Sequence, residues 1–114
     1  MSDRDHSKQS RRNRRNARTT KFLESLSGGP MSLGQLLAAL READGESLAQ
    51  FSRRLGISRQ HLHQIEIGQK RVSPERSARF AKLLGQSEVV FVKLALQDLA
   101  DDAGLSVTVE VRVA

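Results

Sequence analysis

The chain has 114 residues, no cysteine and a formal net charge of +6. That length supports one modest core plus tails, and the missing thiols exclude disulfides, thiolate metal sites and cysteine nucleophiles. No apolar run approaches the ~20 residues a bilayer span needs, and the charged N-terminus lacks the apolar stretch of a secretory leader, so a cytoplasmic protein without a membrane partner is expected.

The charge is unevenly spread. Residues 1–21 hold eight Lys/Arg against Asp3 and Asp5, and residues 53–82 hold eight against Glu66 and Glu75. Two separate basic regions suit a polyanionic partner. The first, residues 1–20, crowds Arg11, Arg12, Arg14, Arg15 and Arg18 together with almost no apolar residue. Such a segment cannot bury enough surface to order itself, so a disordered basic arm is expected. An arm following phosphates or entering a minor groove, an arginine-rich RNA-binding segment and a solubility tail all fit its composition. Over residues 21–30, Phe22, Leu23 and Leu26 form a short apolar stripe suited to docking. Ser27, Gly28, Gly29 and Pro30 then break the chain before the folded body.

From residue 32 onward each candidate helix opens at a serine and closes at a glycine: 32–45, 47–56, 58–68, 73–85 and 87–104. Serine oxygens accept from unpaired first-turn amides, and glycine takes the positive φ at a helix exit. Gln50 completes a capping-box pattern with Ser47, and Pro74 suits the first position of its helix. Leu33, Leu36, Leu37 and Leu40 line one face of the first helix. Leu48, Phe51 and Leu55 do so in the second, and Leu62 and Ile65 in the third. The fourth helix adds Ala78, Ala81, Leu83 or Leu84, with Phe80 adjacent. The fifth, with Val89, Val90, Phe91, Val92, Leu94, Ala95, Leu96 and Leu99, is apolar on more than one face.

After Gly104 the valines alternate, with Val107, Val109, Val111 and Val113 on one side, the pattern of a β-strand. No second strand is available in the chain. Pairing with the same strand of a second copy is the economical answer, and it predicts a two-fold homodimer with Phe91 and these four valines at the interface. The fold expected is mainly α, a helix-turn-helix domain over 31–86 followed by a dimerisation helix and strand over 87–114.

The second and third helices meet at Gly56, and the third carries Arg59, Gln60, His61, His63 and Gln64 on its outer side. That is a helix-turn-helix pattern with a second helix stocked for reading DNA. Between residue 33 and about 84 the chain resembles the Cro/C1 (XRE) family of DNA-binding domains. The resemblance rests on Phe51 and Ser52, Gly56-Ile57-Ser58, Leu62, Ile65, and Glu66 followed at two residues by Gly68, with Ile67 departing from the family's usual polar residue. It implies base contacts from Arg59, Gln60 and Gln64, and more weakly from His61. Backbone phosphates would be met by Ser47, Arg53, Arg54, Ser58, His63, Lys70, Arg71 and Arg76. His61 and His63, two apart on a helix, point in nearly opposite directions and make no metal site. No cofactor turn, phosphate loop or nucleophile-and-base pattern is present, so no enzymatic activity is expected. The expected function is a nucleoid-associated homodimeric repressor on a palindromic operator in double-stranded DNA. The overall pattern is also similar to HigA-type antitoxins, which would add a cognate toxin as partner, docked around residues 22–26.

Overall fold

The structure, a computed structural model, describes residues 31–114. The basic arm with Arg11, Arg12, Arg14, Arg15 and Arg18, the stripe of Phe22, Leu23 and Leu26, and the break over 27–30 lie outside the described residues. Five helices follow one another among those described: α1 (Leu33–Ala43), α2 (Leu48–Leu55), α3 (Arg59–Glu66), α4 (Pro74–Leu84) and α5 (Glu88–Asp102).

All five begin where the serines place them. Ser32, Ser47, Ser58, Ser73 and Ser87 are the N-caps, and each hydroxyl accepts from the amide three residues on. Such a cap stabilises a helix by about 1 kcal/mol. Two of them are reciprocal: Ser47 N–H donates to Gln50 Oε1 at 2.9 Å, and Ser32 N–H to Gln35 Oε1 at 2.9 Å. At the other end of α2, Gly56 has φ 70°. There its own amide donates to Arg53 O and the Ile57 amide to Ser52 O. This left-handed exit turns the chain sharply enough to bring α3 against α2.

The core joins all five helices. Leu33, Leu36, Leu37 and Leu40 of α1 meet Phe51 and Leu55 of α2, Leu62 and Ile65 of α3, Phe80, Ala81 and Leu84 of α4, and Phe91, Leu94 and Ala95 of α5. Val72, from the α3–α4 connection, is buried with them, while Leu83 faces solvent. Helices α4 and α5 pack most extensively on each other, and α1 bridges α3 and α5. The α1–α3 contact is close: a Cβ added at Gly34 would lie 2.1 Å from the Ile65 carbonyl oxygen. Only glycine fits there.

Two expectations about the C-terminal part need correction. Phe91, assigned to a dimer interface, is only 1% exposed and belongs to the core. Its ring is the largest apolar side chain on α5, and the space against the other helices is where it removes most surface from water. Val90 and Leu99 are the large apolar side chains of α5 left exposed. Second, residues 105–114 form no strand among the described residues. A strand needs a second backbone edge, and the chain supplies a side chain instead. Gln97 Nε2 donates to Val107 O at 2.8 Å, and Val109 N–H donates to Gln97 Oε1 at 2.7 Å. The primary amide thus imitates one rung of a ladder. Val109 and Val111 are half-buried, whereas Val107 and Val113 are exposed.

Candidate nucleic-acid interface

Helix α3 is held firmly on one side and open on the other. Leu62 and Ile65 are buried, Arg59, Gln60 and His63 are exposed, and His61 and Gln64 are half-exposed. The buried pair sits three residues apart, so the polar residues around it share the outer surface. Ser52, one of the residues that carry the resemblance, is buried and donates to Ala49 O at 3.0 Å. Between the start of α2 and the outer face of α3 lies a shallow depression lined by Leu48, Arg59, Gln60 and His63.

A forked ion pair fixes the far end of α3. Arg41 Nε donates to Glu66 Oε2 at 2.9 Å and Arg41 Nη2 to Glu66 Oε1 at 3.0 Å, while Nη1 reaches Glu46 O at 3.1 Å. Glu66 is 6% exposed at its side chain, and its hydrogen bond holds the Arg41 guanidinium more firmly protonated than usual. The motif glutamate therefore ties α3 to α1. Sequence spacing showed that Glu66 marks the helix end but not which cation it meets, 25 residues away.

Of the residues assigned to phosphate, several are already engaged inside the protein. Arg54 pairs with Glu46, lies 3.8 Å from Asp44 and stacks over the Phe51 ring. Arg76 stands 3.4 Å from the His61 ring and over Phe80, close to the outer face of α3. Arg53 is exposed, its Nε donating to Ala49 O at 3.3 Å. The hydroxyl oxygens of Ser47 and Ser58 accept cap bonds, which leaves their O–H groups available to donate outward. Lys70 is exposed and, like Arg59, meets no side-chain partner among the described residues.

Arg71 departs most from its assignment. Its Nε and Nη2 donate to the two carboxylate oxygens of Asp102 at 2.9 and 2.8 Å, and Nη1 lies 3.6 Å from Asp98. A bidentate pair of this geometry is the favoured arrangement of guanidinium with carboxylate, so the side chain turns toward α5 instead of outward beside Lys70. Asp98 continues the connection, because Leu33 N–H donates to its Oδ2 at 3.1 Å. Burial pushes the Asp98 carboxyl upward, and that amide and Arg71 partly oppose the shift. Arg71 holds the exposed Asp102 carboxyl below its ordinary range. The loop after α3, the start of α1 and the end of α5 are thereby joined through two aspartates.

The assembled surface is a polar helix face with a cationic start, flanked by Lys70 and Arg53, on a rigid helical base. No described helix is long and apolar enough to cross a membrane. Comparison with curated proteins and with solved structures gives no match. Residues 32–91, more than half of the chain, match the family described as "Helix-turn-helix domain", and the protein belongs to that family of DNA-binding regulators.

Proposed function

We propose that the protein is a sequence-specific regulator of transcription, acting as a homodimeric repressor on a palindromic operator. The observation that carries this reading is the outer surface of α3, where Arg59, Gln60 and His63 are exposed while Leu62 and Ile65 are buried. In this reading α3 enters a major groove. Arg59 pairs with guanine and Gln60 or Gln64 with adenine, each contact contributing roughly 1–3 kcal/mol of discrimination. The depression beside Leu48 receives a thymine methyl group, the apolar mark of that base in the major groove. Arg53, Lys70, His63 and the hydroxyls of Ser47 and Ser58 position the domain on phosphates. Arg76 supports His61 from behind, and the arm over 1–20 adds contacts that depend on salt but not on sequence.

Selection of bound duplexes from random DNA tests the proposal. The expected product is a palindrome whose half-sites lie about 10 bp apart, one helical turn. Recovery of unrelated sequences would sink the specific-regulator reading, and recovery of a single half-site would sink the dimeric one. Structured RNA that outcompetes the selected duplex would move the function to RNA.

A further inference from the structure

Residues 107–109 are held to α5 by two hydrogen bonds on one backbone edge. Gln97 meets the carbonyl of Val107 and the amide of Val109. In extended chain, residues two apart share an edge. Continued as extended chain to residue 112, this pattern turns the N–H and C=O groups of Thr108, Glu110 and Arg112 to the opposite edge, and no hydrogen bond reaches them among the described residues. A row of free backbone groups beside exposed valines is a template for another strand. The sequence along it also has a polarity that antiparallel pairing can use, since Glu110 and Arg112 occupy successive positions on that edge.

We propose that this edge pairs antiparallel with the same edge of a second copy, in the register that sets Glu110 opposite the partner's Arg112. The proposal rests on the homodimer reading and assigns it a surface and a register. The two-fold axis then passes through Val111, Val109 faces the partner's Val113, and the Glu–Arg pair occurs twice. Valines now exposed to water, Val113 at 83% among them, gain a neighbour on the same face. Charge selects this register. Sliding one strand by two residues sets Glu110 against its own copy in one direction and Arg112 against its own copy in the other, and like charges directly opposite destabilise a sheet. A slide of four residues sets Val109 on the axis and pairs no charges across.

The test uses the full chain, without DNA. Because the protein has no cysteine, a single introduced thiol reports one position. In the proposed register, residue 111 is a non-hydrogen-bonded pair with Cα atoms ~4.5 Å apart, within disulfide range. Residue 109 is about 13 Å out of step with its own copy. Val111→Cys is expected to give covalent dimers under mild oxidation, and Val109→Cys less than about one-tenth as many. In sedimentation, E110R or R112E alone should weaken dimerisation about tenfold, since each substitution acts twice. The double exchange should return it to within about threefold of the unaltered chain. Cross-linking through position 109 instead of 111, or no recovery in the double exchange, overturns the register. A dimer that neither thiol traps overturns the strand interface and leaves the homodimer reading standing. A chain that sediments only as monomer overturns both.

Discussion

The two sides of α3 carry similar residues to opposite ends. On the outer side Arg59 is exposed with no partner among the described residues. Around the inner and lateral sides Arg41, Arg54 and Arg71 form ion pairs with Glu66, Glu46 and Asp102. In sequence these cations look equivalent, and three of them belong to the basic segment over 53–82. In the fold part of that charge, Arg54 and Arg71 together with Arg41 from α1, is internal wiring that helps set where α3 sits. The difference teaches that a basic stretch measures potential for binding, and that the carboxylates within reach decide how much of it faces outward.

The sharpest way to break this division is to move the base. Gly34→Ala forces a methyl group into the Ile65 carbonyl, and both partners are helical backbone that cannot step aside. A loss of about 3 kcal/mol is expected in urea unfolding, together with weakened DNA binding from a displaced α3. Glu66→Ala removes the inner clamp and leaves Arg41 half-buried without its carboxylate. Stability should fall by about 2 kcal/mol, whereas the preferred operator sequence should remain the same. A changed operator would place Glu66 at the DNA.

Substitutions on the outer side should show the converse. Arg59→Ala should leave the unfolding midpoint within ~0.5 kcal/mol while relaxing preference at one base pair by about tenfold, read from competition with single-base operator variants. The smallest and most discriminating comparison is between two neighbours. Lys70→Ala should lower the slope of log affinity against log salt by about one per bound subunit. Arg71→Ala should leave that slope unchanged and cost the fold roughly 0.5–1 kcal/mol, as for a partly exposed pair. Equal effects on the slope would mean that Arg71 releases Asp102 when DNA arrives.

How much of this was legible beforehand depended on how far apart the interacting residues lie. Helix starts and stops were readable because a serine caps an amide three residues away and a glycine acts at its own φ. The inward leucines were readable from helical spacing. The pairing of Arg71 could not be read because Asp102 is 31 residues distant, and a loop arginine has the same sequence signature whether it meets phosphate or carboxylate. Phe91 was misassigned for a related reason: an all-round apolar helix does not say which face turns inward. The need for glycine at position 34 could not be read at all, since it arises from a carbonyl on another helix. The alternation after Gly104 was legible, whereas Gln97 as a substitute rung has no sequence signal.

The serine and glycine punctuation has a consequence for how the chain reaches this structure. Because every boundary is written within three residues of itself, helix limits can be found while the chain is still expanded, before any long loop is closed. Folding should therefore be fast, with relaxation after a temperature jump in the microsecond-to-millisecond range typical of helical domains. Replacing Ser47 or Ser58 by alanine should slow refolding if α2 and α3 form in the transition state, and should mainly speed unfolding if they dock late.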